Sequence, residues 1–238
     1  IISGKHRYVF AYAEPQSRFD LFDVKCSASL DGENYVINGF KSVVFGASMA
    51  THLIISARTS GDQRSKSGIT LFMVDIKSEG ITLQNYPTID EYRASEVVIE
   101  NLKVSKDNIL GSIDGSYEAI EEQIDLSTIA VCSEAVGILQ VLKDSTNDYC
   151  KNRKQFGQPI GANQVIKHRL VDMMIEYEQA KSILYMAVTA DLSNPIERRK
   201  AASAAKARIG KAIKFVGENA IQLHGGMGVV DEYMISHF

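Results

Sequence analysis

The sequence is poor in the residues that mark several common protein classes. It has no tryptophan, four prolines and three cysteines in 238 residues. Cys26, Cys132 and Cys150 are an odd number without CxxC spacing, which predicts free thiols, as in a cytoplasmic protein, and not a disulfide framework or a zinc site. The five histidines show no spacing suited to metal ligation, and no GxSxG motif of a serine hydrolase is present.

Charge and hydropathy exclude further classes of partner. The 26 basic and 29 acidic residues give a formal charge of −3, which does not support nucleic-acid binding. No uninterrupted apolar run approaches the roughly 20 residues of a membrane span, so we expect no membrane association. Neither a signal peptide nor an initiator methionine precedes Ile1-Ile2-Ser3-Gly4, and the chain stops at Phe238 after a polar run. We therefore expect the chain to be a fragment.

What is present is ordinary globular composition, with 45% apolar and 23% charged residues. Residues 1–110 have the short apolar runs of β structure. Turns are predicted at Asp31-Gly32 and Asn38-Gly39, and residues 59–68 form a polar loop. Strands are predicted over residues 35–37, 42–45, 53–57, 69–76 and 94–102. The pattern favours an antiparallel β-sandwich or barrel, the first domain of an α+β protein.

Residues 111–238 change to helical periodicity and predict a helical bundle of three long helices. The second helix runs from Gln164 to about Ala190 and the third from Glu197 to Leu223, where Gly225-Gly226 ends it. The third is rich in alanine, at positions 201, 202, 204, 205, 207, 212 and 220. The first has an inward stripe formed by Ile120, Ile124, Ser127, Val131, Ala135, Ile138 and Leu142. The second directs inward Ile166, Leu170, Met173, Met174, Tyr177 and Ala180.

The segment 153–157 (RKQFG) is a first candidate binding motif. Arg153 offers paired N–H donors that suit a diphosphate, and Phe156 offers a ring that packs on a flat ligand. Taken alone, a capped helix end with a solvated basic patch is the better explanation.

The segment 222–228 (QLHGGMG) is a second candidate. Adjacent glycines permit positive φ and let a ligand approach backbone N–H groups. The segment follows a helix and not a strand, so it is not a Rossmann fingerprint. A helix C-cap with a flexible exit is an equally good explanation. Glu134, near the inward stripe of the first helix, is a weaker candidate for a buried base.

Four ordered motifs together resemble the acyl-CoA dehydrogenase family of flavoproteins. Residues 11–15 (AYAEP) resemble its T-E-P segment, and residues 31–41 resemble its D-G-x-Y-x-x-N-G-x-K hairpin. Residues 153–157 with Gln164 resemble its R-x-x-F-G…Q stretch, and residues 222–228 its Q-x-x-G-G-x-G ending. The likeness covers the whole chain, and the form AYAEPQSRFD resembles the branch typified by the small subunit of pimeloyl-CoA dehydrogenase.

The resemblance implies a central β-domain, 1–110, and an incomplete C-terminal bundle, 111–238, without the family's N-terminal helical domain and last helix. It implies an FAD cofactor. Arg153 and Phe156 would meet the FAD of a neighbouring subunit, with Gln155 and Gln164 close by. The other cofactor-binding positions would be Tyr12, Ala13 and Glu14 along the flavin ring and Gln222, Gly225 and Gly226 at the adenosine diphosphate.

The chain departs from the family at several of these positions. Ala13 stands where the family usually has the threonine of T-E-P, and Phe19 where a serine commonly precedes Asp20. The frequent aromatic and threonine positions after Lys41 fall on Val43 and Phe45. Several hydroxyl and stacking contacts to the flavin are therefore missing.

The family's reaction needs a carboxylate base, and the chain does not show one. Most members place this glutamate after the Gly-Gly motif, beyond Phe238. A minority place it on the first bundle helix, at the position of Ser127. Asp125 is two residues away and points in another direction on a helix. No catalytic residue is therefore assigned.

The resemblance implies an oxidoreductase of fatty acid metabolism that converts acyl-CoA to 2-enoyl-CoA and passes electrons to an electron-transfer flavoprotein. It also implies a homo- or hetero-oligomer, a dimer or tetramer. We expect the fragment alone to be inactive. One alternative is a non-catalytic structural or cofactor-sharing subunit of a hetero-oligomeric acyl-CoA dehydrogenase. Another is a truncated product without a stable fold, which would aggregate through exposed apolar helix faces.

Overall fold

The computed structural model describes all 238 residues, which divide into two compact units, Ile1–Glu121 and Glu122–Phe238. The first unit is built on one eight-stranded sheet, and the second on long helices. The strands are β1 (Tyr8–Ala11), β2 (Ser27–Asp31), β3 (Asn34–Phe45), β4 (His52–Arg58), β5 (Ile69–Asp75), β6 (Ile81–Pro87), β7 (Arg93–Ser105) and β8 (Ile109–Leu110).

The sheet is mixed, where the sequence predicted antiparallel pairing throughout. Its order is β6-β7-β3-β2-β4-β5-β8, with β1 beside β4. Most ladders are antiparallel, but β1 runs parallel to β4, and β2 joins β4 in parallel through one residue pair. The parallel ladder pairs Tyr8 with His52. Apolar and polar side chains alternate with a period of two residues in both parallel and antiparallel strands. The sequence of one strand therefore does not show in which direction its distant partner runs.

The prediction of a turn at Asn38-Gly39 is wrong. These residues lie inside β3, at a shift of register against β7, and the turn into β3 is made at Gly32, whose φ is +61°. The Asn38 side chain accepts the backbone N–H of Asn101 at 2.8 Å. A Cβ on Gly39 would lie 2.6 Å from Sγ of Cys26. Glycine is therefore needed here for close packing between neighbouring strands and not for a turn.

The three predicted helices are α1 (Tyr117–Asn152), α2 (Gln164–Val188) and α3 (Pro195–His224), and all but the first five residues of α1 belong to the second unit. A hairpin of two short strands, β9 (Lys154–Gln155) and β10 (Gln158–Pro159), separates α1 from α2. Asn194 caps α3, because its side-chain oxygen accepts the N–H groups of Ile196 and Glu197 at 3.0 and 3.3 Å. Pro195 suits the first helical position, and so α3 begins two residues before the predicted start.

The three helices bury one shared apolar core. Met173, Tyr177 and Ala180 of α2 point inward as predicted. Other parts of the predicted stripes are wrong, since Ser127, Val131 and Met174 are exposed. Helix α1 carries apolar residues on most of its circumference, and so periodicity alone did not select the buried face. Its buried residues are Ile120, which with Leu142 was predicted to point inward, and Ile129, Cys132, Val136, Leu139, Leu142, Thr146 and Cys150.

Helix α1 is also long and apolar enough, by length and composition alone, to cross a membrane. Its 36 residues include an 18-residue window with a mean hydropathy of 1.5, 22% of which is buried. The expectation drawn from uninterrupted runs missed this segment, because isolated polar residues interrupt it. One helix of this kind is weak evidence for a membrane span, since a helix in a protein core passes the same test.

The close packing at Gly39 leads to a stability prediction. Gly39→Ala is expected to lower the free energy of unfolding by about 1–3 kcal/mol, because the new methyl group overlaps Cys26. The matched control is Gly137→Ala in α1, where a Cβ meets nothing within 4 Å and alanine favours the helix by up to about 1 kcal/mol. Urea unfolding of both variants measures the difference. Equal stability of the two variants would contradict the packing role of Gly39.

Candidate cofactor site

The predicted flavin-facing segment, Tyr12–Glu14, follows β1 and is fixed by a buried ion pair. Nζ of Lys41 lies 2.7 Å from Oε1 of Glu14, and both side chains are sealed from solvent, with 0% and 2% exposed. The same ammonium donates to the hydroxyl of Ser56 at 3.0 Å and to the carbonyl of Tyr12 at 3.4 Å. One lysine thus joins this segment to β3 and β4.

The Glu14 carboxylate is fully engaged within the first unit. It accepts the backbone N–H groups of Lys25 and Cys26 at 2.8 and 3.2 Å, and an amide N–H of Gln16 at 2.7 Å. A carboxylate with these partners and Lys41 has no free oxygen to offer a ligand. The segment can therefore contribute backbone groups, and the side chain of Glu14 has a structural role. Burial raises the pKa of the adjacent Cys26 thiol to about 11, against the opposing effect of the Lys41 charge, so this thiol is no nucleophile.

Of the four positions that depart from the family pattern, Val43 and Phe45 lie on the exposed side of β3, Ala13 lies in the segment after β1, and Phe19 lies in an exposed turn. Val43 is 46% exposed and Phe45 is 57% exposed. Val43 has a φ of +51°, which is a strained conformation for a β-branched residue, and it sits at a shift of register between β3 and β7. The N–H of Ser42 donates to the carbonyl of Ala13 at 2.9 Å, and so the bulge adjoins the predicted flavin-facing segment. The surface of β3 at Val43 and Phe45 is apolar and offers no hydroxyl group.

The RKQFG motif forms an exposed hairpin in the second unit. Phe156 and Gly157 make its two-residue turn, with φ values of +52° and +85°. A positive φ costs a phenylalanine roughly 1–2 kcal/mol, and the turn leaves the Phe156 ring fully exposed. Arg153, Gln155 and Gln164 are also exposed. The exposed guanidinium of Arg153 and the exposed ring of Phe156 are therefore available to a ligand, and they do not contribute to the core of their own chain.

The QLHGGMG motif lies at the C-terminal end of α3, where the predicted helix stop is confirmed. Gly225 has φ of +58° and ψ of −138°, and a Cβ at Gly225 or Gly226 would meet nothing within 4 Å. The backbone here is therefore open to a ligand. Gln222 is exposed, whereas the adjoining His224 is buried.

Sequence reasoning missed Tyr149, which contacts both motifs. Its carbonyl accepts the N–H of Arg153 at 2.8 Å, and its hydroxyl donates to the carbonyl of His224 at 3.3 Å. The one sequence feature that could have identified Tyr149 is its position four residues before Arg153, in the last turn of α1.

No candidate base is poised on α1. Nε of the buried Arg198 lies 3.3 Å from Oδ2 of Asp125, so this carboxylate belongs to an ion pair of the bundle. The Ser127 hydroxyl accepts an amide N–H of Gln123 at 3.2 Å. The expectation that Glu134 lies near the inward stripe is wrong, since Glu134 is exposed. On this part of α1 the buried residues are Cys132 and Val136. No group of three or more possible ligands is placed to hold a metal ion.

The second unit fits the diphosphate of FAD in the chemistry of its donors. It presents a guanidinium on Arg153, side-chain amides on Gln155 and Gln164, and open backbone at Gly225 and Gly226. Phosphate oxygens accept hydrogen bonds from all three kinds of group. In the first unit the backbone of Tyr12–Glu14 is held rigidly, but the neighbouring surface supplies fewer polar contacts to a flavin ring than the family pattern.

Comparison with known proteins gives the same assignment for both units. The family model described as "Acyl-CoA dehydrogenase, C-terminal domain" matches residues 115–238, and the model described as "Acyl-CoA dehydrogenase, middle domain" matches residues 9–102. The chain is 31% identical over 238 residues to the caffeyl-CoA reductase-Etf complex subunit CarC of Acetobacterium woodii, covering 99% of this chain and 62% of the relative. It is also 31% identical to the 3-(aryl)acrylate reductase of Clostridium sporogenes, covering 99% of this chain and 63% of that protein.

The solved structures agree on the fold. The butyryl-CoA dehydrogenase of Megasphaera elsdenii superposes with a TM-score of 0.90 at 25% identity, covering 99% of this chain and 62% of that one. The chain thus spans about three fifths of the length of these relatives.

The buried ion pair leads to a test of its structural role. Glu14→Gln or Lys41→Met alone is expected to lower the free energy of unfolding by about 3–5 kcal/mol, because each leaves an unpaired buried group. The double variant is expected to lose less than the sum of the two single changes. Chemical unfolding of all four proteins measures the coupling. Glu33→Gln at the exposed Lys106–Glu33 pair is the control and is expected to leave stability nearly unchanged. Additive losses at the buried pair would contradict its role.

Proposed function

The chain belongs to the acyl-CoA dehydrogenase family, and from this membership we propose that it forms the flavin-binding part of an FAD-dependent oxidoreductase that interconverts acyl-CoA and 2-enoyl-CoA. The observation that carries the proposal is the exposed hairpin with Arg153 and Phe156, together with the open backbone at Gly225 and Gly226, in the unit that the C-terminal family model matches. When bound, FAD would supply the hydride acceptor for the acyl β-carbon, or the donor in the reductive direction.

The residues of this chain would meet FAD at two places: the second unit would contact the diphosphate of an FAD held by a neighbouring subunit, and the first unit would contact a flavin ring of its own. Arg153 would pair with the diphosphate, and Gln155, Gln164 and Gln222 would donate amide N–H groups nearby. Phe156 would pack against the cofactor. The backbone of Tyr12, Ala13 and Glu14 would run past the flavin ring, and Lys41 keeps that backbone in place through its ion pair with Glu14. No proton transfer is assigned to a side chain of this chain.

The partners are part of the proposal. An acyl-CoA is the substrate that family membership favours, and an electron-transfer flavoprotein is the electron partner that we propose, supported by the relative named as a subunit of a reductase-Etf complex. A dimer or tetramer would explain why the Phe156 ring is fully exposed in one chain, since a cofactor held by a neighbouring subunit would cover it. We propose a cytoplasmic location in keeping with three free cysteines.

A second candidate function is a non-catalytic subunit that shares a cofactor site with a catalytic partner. Ala13 after β1 and Val43 and Phe45 on the exposed side of β3 favour it, because these residues lack the hydroxyl and stacking groups of the family pattern. The absence of a poised carboxylate on α1 points the same way, since Asp125 is paired with Arg198.

Kinetics on the purified full-length protein separate these two functions. The protein is first saturated with FAD. Each acyl-CoA thioester of a panel is then added, and the loss of visible flavin absorbance measures reduction of the flavin. In the reverse assay, an enoyl-CoA is added to the reduced flavin and the absorbance is expected to return. Turnover by the homo-oligomer supports the enzyme. If the protein binds one flavin per chain but does not turn over, and if it co-purifies with a second family member, the non-catalytic subunit is the correct function.

The predicted diphosphate contact gives a further test. Arg153→Ala is expected to weaken FAD binding about 10- to 100-fold, since a charge-assisted hydrogen bond contributes about 1.5–3 kcal/mol, while thermal stability of the flavin-free protein changes little because Arg153 is exposed. Lys211→Ala, which removes one exposed cation from α3, is the control. Fluorescence titration with FAD measures both affinities. Equal affinity in the two variants would refute the role of Arg153.

A further inference from the structure

The two predicted diphosphate-binding motifs are connected through one side chain, Tyr149. The N–H of Arg153 donates to the carbonyl of Tyr149 at 2.8 Å, and the N–H of Ile160 donates to the carbonyl of Arg153 at 2.9 Å. The first bond is the last helical hydrogen bond of α1, and the second closes the hairpin. The position of Tyr149 therefore fixes where the hairpin leaves the helix.

The same residue fixes the end of α3. The Tyr149 hydroxyl donates to the carbonyl of His224 at 3.3 Å, and the two rings lie 4.2 Å apart at 33°. That carbonyl belongs to the peptide bond between His224 and Gly225. Because Gly225 has φ of +58° and ψ of −138°, a conformation that other residues rarely adopt, the orientation of this peptide group sets the direction of the open backbone that follows.

The contact is rigid because it is buried and stacked. His224 is 2% exposed, its Nδ1 lies 2.8 Å from the carbonyl of Ala220, and its ring also packs on Tyr233 at 5.2 Å. A carbonyl only accepts, so the proton is on Nδ1, and the buried Nε2 has no hydrogen-bond partner.

We propose that Tyr149 is a positioning residue that sets the spacing between the Arg153 side chain and the Gly225–Gly226 backbone. This inference rests on the proposed function, in which both groups bind one diphosphate. Tyr149 does not contact the cofactor. Its carbonyl accepts the N–H of Arg153 at the start of the hairpin, and its hydroxyl donates to the carbonyl of His224 before Gly225. The packing of its ring on His224 fixes the positions of these two hydrogen bonds relative to each other.

The test compares two tyrosines that make similar bonds within the same bundle. Tyr149→Phe removes the bond to His224, and Tyr177→Phe removes a bond of equal length, 3.3 Å, from Tyr177 to the Gln140 side chain, away from both motifs. The flavin-free full-length protein is titrated with FAD by fluorescence, and thermal unfolding is recorded for each variant. We expect Tyr149→Phe to raise the Kd for FAD about three- to tenfold, and Tyr177→Phe to leave it unchanged. Both variants are expected to lower the melting temperature by similar amounts.

A double-variant cycle with Arg153→Ala separates positioning from a general loss of structure. With the guanidinium gone, the spacing between the two motifs no longer matters, and Tyr149→Phe is expected to change the Kd less than twofold in that background. Independent effects of the two changes would overturn the proposal. So would a Tyr149→Phe affinity equal to that of Tyr177→Phe.

The controls distinguish this proposal from the function on which it rests. If the wild-type protein binds FAD and Arg153→Ala weakens it, but Tyr149→Phe behaves like Tyr177→Phe, only the role of Tyr149 fails. If wild type does not bind FAD, or Arg153→Ala has no effect, the diphosphate site fails and the role of Tyr149 fails with it. His224→Phe keeps the stacked ring and the carbonyl that accepts from Tyr149, and we expect it to bind FAD with wild-type affinity. A large loss of affinity in His224→Phe would overturn the proposal, because it would assign the effect to the imidazole.

Discussion

A lysine ammonium and a glutamate carboxylate, both sealed from solvent, organise the first unit. Lys41 reaches Glu14, Ser56 and the carbonyl of Tyr12, and Glu14 in turn accepts the N–H groups of Lys25 and Cys26. Two buried charges are expensive to desolvate, and the arrangement is tolerable only because almost every donor and acceptor is paired. The result is a short segment after β1 whose backbone is fixed although it belongs to no strand. The proposed flavin contacts depend on that rigidity.

The second unit separates stability from binding in a different way. Its core is a plain apolar contact among three helices, and its candidate binding groups lie at the helix ends. Arg153 and Phe156 stand on a hairpin after α1, and Gly225 and Gly226 follow α3. The C-terminal ends of α1 and α3 leave carbonyl oxygens unpaired, and so the donors to a phosphate come from the Arg153 side chain and from the backbone that follows α3. Tyr149 links the two ends, which gives a residue of the bundle wall a role in the site.

The chemistry of the chain is less complete than its fold. The ordered motifs, the family models and the solved structures agree on the architecture, while the chain spans about three fifths of the length of its relatives. The surface around Val43 and Phe45 lacks hydroxyl groups, and Asp125 is committed to Arg198. The binding groups therefore lie free at the ends of α1 and α3, whereas the carboxylate nearest the position of Ser127 is held in an ion pair.

The sequence alone determined the features that depend on neighbouring residues. Helix periodicity, the helix stop at Gly225 and the order of the four motifs are local properties, and each could be predicted. The parallel pairing of β1 with β4, the buried face of α1 and the packing of Gly39 on Cys26 could not, because each depends on a partner distant in the chain or on which apolar face meets a neighbour. The same holds for the site. The motif around Arg153 can be identified in the sequence. Its link through Tyr149 to His224 exists only because tertiary packing brings the ends of α1 and α3 together.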